Sequence, residues 1–456
     1  MGSVDESELV PIRSFDDLLA PLHRAIRPRS EALIGAEAEK FGLLERSLRP
    51  LHYGGDHGVV RVMRELCASH GWRVTQDDPL LALEKDGASV TLEPGAQFEL
   101  SGAPLRDLHA IDAEFTQHHA ELAAVSDLFR RELGEGIAWL GLGFHPLAAQ
   151  ADLDWVPKSR YGVMRRYLPT RGAHGLEMMR RTATVQANFD YASEAEAMRA
   201  LRVGLRLSPF FIASLANSPF VEGALYGGKS YRADVWTDVD PSRQGLVPRV
   251  LDSKGGFADY VEWVLDAPMF LLLREGKVVE NTGQSFRDFM ANGFEGHVAT
   301  EADWVTHLNS MFPEVRLKRT LEVRGADSLP RDLLVAPAAI FTGIFYDERA
   351  LSEAEDLVAP YSTEQLLRLR AEVGRTALAS QIGGAPILEI VNRMVAIARG
   401  GLERRARRRA DGRDESVYLE PLEARLAKGR CPADDLIDAL GRTGSVPAAL
   451  FETVRL

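Results

Sequence analysis

Two glutamates separated by one residue, Glu37 and Glu39, form the first chemically suggestive pair in the sequence. Small residues alternate with them over residues 36–39, within the short run 33–41, which predicts a β-strand with one polar face. On a strand, residues two apart point to the same side, so these carboxylates repel each other unless a cation lies between them. Mg²⁺ or Mn²⁺ takes carboxylate oxygens and usually bridges phosphates. For this pair alone, a solvated strand face is the favoured alternative.

A second polar cluster runs over residues 89–102 (SVTLEPGAQFELSG). The Pro-Gly pair interrupts strand pairing, which predicts that Glu93 ends one strand and that Gln97 and Glu99 begin the next. Two strand ends that meet can direct Glu93 and Glu99 into one space. The alternative is a hairpin with an exposed polar face, and the pattern favours neither.

Two further segments combine arginine with polar or aromatic side chains. A strand predicted over residues 184–189 carries three polar residues on one face and is entered by two arginines: Thr184, Gln186, Asn188, Arg180 and Arg181. Farther along, Arg232 and Trp236 offer a guanidinium fork and a flat wall, which suit the carboxylate of an amino acid. The alternatives are salt-bridged arginines and loop-capping acids, and each is favoured for its segment alone.

A row of charge lies between residues 315 and 327. Alternation predicts a strand over 315–323, with Arg319 among the apolar residues of one face. The other face and its continuation carry Arg316, Lys318, Glu322 and Arg324. Phosphoryl transfer needs such cations beside a carboxylate cluster, because metals and Lys or Arg neutralise the transferred group. A cross-strand ladder of ion pairs is the alternative, favoured if the segment stood alone.

These clusters need elements to hold them. Apolar spacing predicts helices over residues 14–27, 57–71, 105–135 and 193–207, with another beginning at Ser208–Pro209. Strand-like pieces over 72–75, 80–84 and 89–92 predict an antiparallel meander, and 136–144 predicts a buried strand. After residue 330 the pattern is mostly helical. The class is therefore α+β, and we expect a single catalytic unit over residues 1–456.

Composition and charge narrow the function classes. Of the 456 residues, 45% are hydrophobic and 26% charged, which excludes a disordered chain. The net charge of −12 disfavours nucleic acid and anionic membranes as partners. The basic run over residues 404–409 (RRARRR) could contact nucleic acid, but neighbouring acids favour a solvated helix face. No stretch reaches the roughly 18 uncharged apolar residues of a membrane span.

The compartment is inferred from the N-terminus and the cysteines. The acidic N-terminal segment lacks the basic and apolar regions of a secretory signal. Cys67 and Cys431 lie far apart and form neither a disulfide framework nor a metal knuckle. A reducing setting fits best, and we expect a cytoplasmic protein.

Taken in order, these clusters resemble the motifs of the plant-type glutamate–cysteine ligases, which also occur in bacteria. The similar segments are residues 35–42 (GAEAEKFG), 92–102 (LEPGAQFELSG), 157–161 (PKSRY), 166–167 (RY), 176–188 (LEMMRRTATVQAN), 217–220 (NSPF), 236–240 (WTDVD), 286–289 (FRDF) and 312–327 (FPEVRLKRTLEVRGAD). Together they span about residues 30–350, and residues 351–456 match more loosely as a helical C-terminal part. The ordered set is far more specific than any one motif.

The resemblance implies a glutamine synthetase-like architecture, an antiparallel sheet forming a cupped active site flanked by helices. It implies an ATP-dependent enzyme that joins the γ-carboxyl of L-glutamate to the amine of L-cysteine through a γ-glutamyl phosphate. The product, γ-glutamylcysteine, is the first intermediate of glutathione biosynthesis. Mg²⁺, or Mn²⁺ in its place, is the implied cofactor. The implied partners are these small molecules, with no nucleic acid and no membrane, for a monomer or homodimer.

The resemblance also implies roles for individual residues. The metal side comprises Glu37, Glu39, Glu93, Glu99, Gln186 and Glu322, and the ATP side comprises Glu93, Gln97 and Lys318. The amino-acid pocket comprises Arg181, Thr184, Arg232 and Trp236, and the catalytic cations are Lys318, Arg319 and Arg324. The alternatives are a γ-glutamyl ligase with another amine acceptor and a catalytically silent amino-acid-binding relative. The intact glutamates favour an enzyme. Two cysteines cannot reproduce the regulatory disulfides of the plant enzymes.

Overall fold

The computed structural model describes residues 10–456. Residues 1–9, on which the predicted lack of a secretory signal partly rests, lie outside the described residues. The strands are β1 (Ile34–Leu44), β2 (Arg73–Asp77), β3 (Leu80–Lys85), β4 (Ala88–Leu92), β5 (Phe98–Ser101), β6 (Ile137–Leu140), β7 (Val185–Phe189), β8 (Phe220–Val221), β9 (Ala224–Leu225), β10 (Gln244–Gly245), β11 (Leu272–Arg274), β12 (Lys277–Val279), β13 (Phe312–Pro313), β14 (Val315–Leu317), β15 (Leu321–Val323), β16 (Gln381–Ile382) and β17 (Ala385–Pro386).

The α-helices account for most of the remaining regular structure. They are α1 (Phe15–Arg24), α2 (Val59–His70), α3 (Leu108–Leu133), α4 (Ser159–Tyr167), α5 (Gly175–Arg181), α6 (Glu194–Ser214), α7 (Tyr231–Val235), α8 (Pro248–Leu251), α9 (Phe257–Asp266), α10 (Phe286–Asn292), α11 (Glu301–Asn309), α12 (Ala336–Phe345), α13 (Glu348–Val358), α14 (Thr363–Thr376), α15 (Ile387–Arg405), α16 (Glu420–Leu426), α17 (Pro432–Thr443) and α18 (Val446–Thr453). None of the helices within residues 10–456 combines the length and apolar character needed to cross a membrane.

A nine-stranded sheet forms the centre of the fold. Its strand order is β14-β15-β7-β1-β5-β4-β3-β2, and β6 also pairs with β1. All pairings in this sheet are antiparallel. The first half of β1 lies between β7 and β5, and its second half pairs with β6. The predicted α+β class with an antiparallel sheet is confirmed.

The two faces of this sheet differ in character. On β1, Ile34, Ala36 and Ala38 are buried on one face, as the alternation with Glu37 and Glu39 requires. Helix α12, every residue of which is buried, packs against β7, and α15 packs against α12. This apolar backing leaves the opposite face for polar side chains. The assignment of residues 1–456 to one catalytic unit stays a prediction.

Most predicted elements are present, with two local differences. The helices at 14–27, 57–71 and 105–135 and the meander are confirmed within a few residues, but only Ile137–Leu140 of the predicted strand at 136–144 is extended. The prediction of a new helix at Ser208–Pro209 is wrong, because α6 continues through both residues. The Ser208 hydroxyl donates to the carbonyl of Gly204 at 2.8 Å, and dense burial offsets the missing proline N–H.

Residues 315–323 form a hairpin rather than the single strand predicted. Leu317 lies opposite Leu321, and Arg316 lies opposite Glu322, across a three-residue turn. Arg319 is exposed in that turn, so its predicted position among apolar side chains is wrong. A turn with an odd number of residues keeps the alternation of apolar residues in phase across both strands, so the hairpin shows the pattern of a single strand. This turn also contains no glycine or proline that would reveal the hairpin.

Candidate active site

The polar face of the central sheet brings the predicted carboxylates together. Glu39 of β1 lies opposite Glu99 of β5, and Glu99 lies opposite Thr91 of β4. Glu37 lies opposite Gln186 of β7. Side chains opposite each other on one face of an antiparallel pair are direct neighbours. Two strands distant in sequence, β1 and β5, therefore present Glu37, Glu39 and Glu99 as one patch.

The turn between β4 and β5 adds Glu93 to this patch. As predicted, Glu93 follows one strand and Gln97 precedes the next, and the Glu93 N–H donates to the Gln97 carbonyl at 3.0 Å. The Gln97 side chain accepts from the N–H of Gly95 at 2.8 Å and donates to the carbonyl of Thr182 at 2.9 Å. This amide fixes the turn to the segment after α5. Its direct contact with ATP stays a prediction.

Glu322 is the centre of a buried cluster of cations and is 1% exposed. Its Oε2 accepts from Arg316 Nε at 2.7 Å and from an Arg324 terminal nitrogen at 2.9 Å. Its Oε1 accepts from Lys318 Nζ at 2.6 Å. Burial alone would raise the pKa of Glu322, but the three cations hold that pKa well below its usual range. The β14–β15 hairpin therefore concentrates positive charge at one end of the sheet.

Glu37 has the opposite electrostatic environment. Its Oε1 accepts from Asn188 Nδ2 at 2.8 Å, and no ion pair of this side chain is found among the described residues. Burial, together with the charges of Glu322 and Glu99, raises the pKa of Glu37 to about 7. The carboxylate form is therefore poorly stabilised by the protein alone.

Glu39 resembles Glu37 in this respect. Its Oε2 accepts from the N–H of Thr184 at 3.1 Å. Burial raises the pKa of Glu39 well above its usual range, and Glu99 and Glu93 add to that effect through charge repulsion. A divalent cation among these side chains would favour their ionised forms.

The carboxylates fit a metal that is shared with a phosphate. Within residues 10–456, no three His, Cys, Asp or Glu side chains converge into a preformed metal site. Mg²⁺, however, is usually held by one or two carboxylates together with substrate phosphates and water. The raised pKa values of Glu37 and Glu39 indicate negative charge that such a cation would relieve. The donor set fits Mg²⁺ or Mn²⁺ bound with a nucleotide.

A cavity of about 690 Å³ lies over this polar face. Its charged lining comprises Glu37, Glu39, Glu93, Glu99, Glu322, Lys158, Arg160, Arg232, Arg316, Lys318 and Arg324. Apolar and aromatic residues also line it: Met164, Met178, Met179, Trp236, Phe270 and Phe312. In strand order, the carboxylates of β1 and β5 lie between the cations of β14–β15 and those near β4. A polyphosphate can thus contact metal-binding carboxylates and cations together.

The start of α4 contributes cations that the sequence motifs alone did not assign to the site. Lys158 Nζ donates to the Leu92 carbonyl at 2.6 Å, and the Tyr161 hydroxyl donates to the same oxygen at 3.2 Å. These contacts fix Lys158 and Arg160 beside the end of β4, where both line the cavity. Burial lowers the pKa of Lys158, an effect that Glu93 opposes. The sequence feature that could have identified these two residues is the PKSRY motif, which places two cations at the start of a helix.

Arg232 and Trp236 line the cavity, and their contact with an amino-acid substrate stays a prediction. The two terminal nitrogens of Arg232 donate to the carbonyls of Gly325 at 3.0 Å and Arg324 at 2.9 Å. The buried Nε of Arg232 and the indole Nε1 of Trp236 have no partner among the described residues. The Arg232 guanidinium carbon lies 5.8 Å from the Trp236 ring centroid. The main chain thus accepts from both terminal nitrogens of the predicted fork, while the Arg232 Nε and the Trp236 indole remain without a partner among the described residues.

Two predicted site residues lie outside the cavity lining. Arg181, which is 2% exposed, donates to Glu222 at 3.1 Å and lies over the Phe144 ring at 4.5 Å. It ends helix α5 rather than entering a strand, and the helical rotation turns it away from the wall that Met178 and Met179 form. Arg319 is exposed in the β14–β15 turn. The cavity lining gives no support to the predicted substrate contact of Arg181 or to the predicted catalytic role of Arg319, and both stay predictions.

Comparisons with known proteins agree with the motif pattern. The model of the Glutamate-cysteine ligase family 2 (GCS2) matches residues 33–452. The chain is 38% identical over 427 residues to glutamate–cysteine ligase B, chloroplastic, of Oryza sativa subsp. japonica, covering 93% of this chain and 83% of that protein. It is 37% identical over 442 residues to the chloroplastic glutamate–cysteine ligase of Arabidopsis thaliana, covering 96% and 82%.

The similarity to solved structures is much lower. A bifunctional glutathione synthetase from Pasteurella multocida has a TM-score of 0.49 and 12% identity, covering 96% of this chain and 53% of that chain. That similarity is too low to bear on function.

The relatives correct one prediction. Those named above are chloroplastic enzymes, which contradicts the predicted cytoplasmic location. A low cysteine content and an acidic N-terminal segment do not distinguish the cytoplasm from other reducing compartments.

Proposed function

The chain belongs to the glutamate–cysteine ligase family 2 and is an ATP-dependent ligase of L-glutamate and L-cysteine; from this premise we propose that it works through a γ-glutamyl phosphate formed in the cavity described above. One observation carries the proposal. The carboxylate patch of β1 and β5 and the cations of β14–β15 line the same cavity. This pairing suits transfer of a phosphoryl group, because a metal held by the carboxylates would neutralise its charge together with the cations.

The chemistry explains why both sets of charges are needed. A free carboxylate is a poor acyl donor, so a γ-carboxylate oxygen of glutamate first attacks the γ-phosphorus of ATP and the bond to ADP breaks. The amine nitrogen of cysteine then attacks the acyl carbon, and the bond to phosphate breaks. The amine proton passes to phosphate or water. Negative charge develops on phosphate oxygens in both steps, and nearby cations stabilise it.

We assign the metal side to the carboxylates of β1, β5 and the turn between β4 and β5. Glu37, Glu39, Glu93 and Glu99 would hold Mg²⁺, or Mn²⁺ in its place, which neutralises the phosphates of ATP. Gln186 and Glu322 were predicted with them, but their oxygens accept from cations. We propose that these two side chains orient the cations, and their direct contact with metal stays a prediction.

The cations and the amino-acid side of the cavity complete the assignment of roles to the lining residues. Lys318, Arg324 and Arg316 would contact the transferred phosphoryl group, while Lys158 and Arg160 extend positive charge toward Glu93. The amino-acid substrates would lie against Arg232 and Trp236, near Thr184. These roles are supported by the common cavity lining and by the hydrogen-bond partners of these side chains.

The first test is ADP release by the purified protein with Mg-ATP and L-glutamate, with each candidate amine added singly. Turnover with L-cysteine and formation of γ-glutamylcysteine, identified by mass, are expected. Turnover with a different amine alone would retain the mechanism but change the product. A folded protein that binds ATP and remains silent with every amine would contradict the enzymatic proposal.

Arg232→Lys is expected to raise the KM for an amino-acid substrate about tenfold while changing the KM for ATP less than about twofold. Lysine keeps the charge but loses the planar set of donors that a carboxylate matches. Arg181→Lys is the matched control, since Arg181 is similarly buried but lies outside the cavity lining. A selective rise in the KM for ATP would move Arg232 to the nucleotide side.

A further inference from the structure

Asp327 is a buried carboxylate that lies outside the cavity lining and has no assigned role in the reaction. It is 2% exposed. Its Oδ2 accepts from the N–H of Asn217 at 2.7 Å and from the hydroxyl of Ser218 at 2.7 Å, and its Oδ1 accepts from the hydroxyl of Ser230 at 2.8 Å. Both carboxylate oxygens therefore accept hydrogen bonds from residues 217–230, a segment far from Asp327 in the chain.

Two of these contacts lead directly to helix α7. The Ser230 hydroxyl also accepts from the N–H of Ala233 at 3.0 Å and so caps the helix. The Ser218 hydroxyl also accepts from the N–H of Arg232 at 3.3 Å. Helix α7 spans only Tyr231–Val235, and a helix this short depends on external contacts for its position.

The segment before Asp327 contacts the same helix from the other side. The Arg232 guanidinium donates to the carbonyls of Gly325 and Arg324. The Thr184 hydroxyl donates to the carbonyl of Ala326 at 2.7 Å, which joins this segment to the sheet. The backbone of Arg232 is thus held by Asp327 through the serine hydroxyls. Its side chain is held by the carbonyls of the residues just before Asp327.

The surroundings of Asp327 leave little room for adjustment. A Cβ at Gly143 would lie 2.2 Å from Asp327 Cγ, so only glycine permits this approach. Burial raises the pKa of Asp327, and the nearby charge of Arg232 opposes that rise. The carboxylate and the guanidinium are therefore coupled by charge as well as through hydrogen bonds.

We propose that Asp327 is a positioning residue that holds Arg232 and Trp236 in place as the amino-acid wall of the cavity. It acts through the Ser218 and Ser230 hydroxyls rather than by touching substrate. The proposal rests on the proposed function, because it takes this wall to bind an amino-acid substrate.

Asp327→Asn provides the main test. Asparagine keeps the shape but loses the charge and one of the two acceptor oxygens. We expect the KM for one amino-acid substrate to rise about tenfold, with the KM for ATP within about twofold of wild type. Asp190→Asn is the matched control, because Asp190 is a buried carboxylate that accepts from the N–H of Leu33 at 3.0 Å outside the cavity lining. It should lose stability with all KM values unchanged.

The outcomes separate a positioning role from a structural one. If Asp327→Asn keeps every KM at the wild-type value and loses only stability, as Asp190→Asn does, the proposal is overturned. If Asp327→Asn does not fold, Ser218→Ala and Ser230→Ala replace it, and each should raise the same KM about threefold. Unchanged KM values in both serine variants would also overturn the proposal.

Arg232→Lys distinguishes failure of this inference from failure of the proposed function. A raised amino-acid KM in Arg232→Lys, with none in Asp327→Asn or the serine variants, would refute only the role of Asp327. An unchanged amino-acid KM in Arg232→Lys would refute the assignment of the wall itself, and the inference with it.

Discussion

Glu39→Gln is expected to lower kcat about 10²–10³-fold while leaving the protein at least as stable as wild type. The substitution removes a charge that the proposed metal needs. It also removes repulsion, since burial together with Glu99 and Glu93 raises the pKa of Glu39 well above its usual range. Glutamine still offers an oxygen to the N–H of Thr184. Activity and stability should therefore change in opposite directions.

The measurement is kcat at saturating substrates over a range of Mg²⁺ concentrations, together with urea unfolding in metal-free buffer. Glu121→Gln is the matched control, because Glu121 is 2% exposed and pairs with Lys85 at 2.7 Å outside the cavity lining. That variant should lose stability and keep its kcat. If Glu39→Gln unfolds while activity per folded molecule is unchanged, the metal assignment is wrong.

Glu322→Gln is expected to reduce the free energy of unfolding by about 3–5 kcal/mol at neutral pH. The neutral side chain leaves the positive charges of Arg316, Lys318 and Arg324 close together without the carboxylate that each contacts. The kcat should fall as well, because these cations lose the group that orients them. Glu348→Gln removes an exposed partner of Arg199 and should change stability little, which makes it the control.

The effect of Glu322→Gln should depend on pH with a defined sign. The pKa of Glu322 lies well below its usual range in the folded protein, so the unfolded chain binds its proton more readily. The contribution of ionised Glu322 to the free energy of unfolding is complete above about pH 5. It is lost as the pH falls through the pKa of Glu322 in the folded protein. Unfolding of both proteins between pH 8 and 3 checks this. A difference that stays constant into strong acid would contradict the assigned role.

The sequence predicted the pair Glu37 and Glu39 and the pair Glu93 and Glu99 because the geometry within each pair is local. A period of two is enough to align Glu37 with Glu39, and a Pro-Gly turn is enough to bring Glu93 close to Glu99. The ordered motifs then identified the family that the comparisons show. Within each pair the two glutamates are only a few residues apart, whereas only the resemblance implied that the two pairs share one site.

The remaining site depends on contacts that no local pattern encodes. Arg181 points away from the cavity because α5 is helical up to that residue, and Arg319 is exposed because a turn divides its strand. Lys158 joins the site through a carbonyl at the end of β4. The burial and charge around Glu322 likewise arise from three residues whose positions are set by the hairpin and the sheet.

The central position of β1 also constrains how the enzyme acquires activity as it folds. This strand carries Glu37 and Glu39, yet its partners are β5, β6 and β7. The cations arrive later still, within the β14–β15 hairpin and just after it. Pairing between segments so far apart in the chain is slow, because the entropy cost of closing long loops arises before any contact between the strands offsets it. During synthesis from the N-terminus, the carboxylates emerge long before the cations that complete the site. A nascent or truncated chain ending before β15 therefore holds acidic residues without a phosphoryl-transfer site, and activity appears only with the completed sheet.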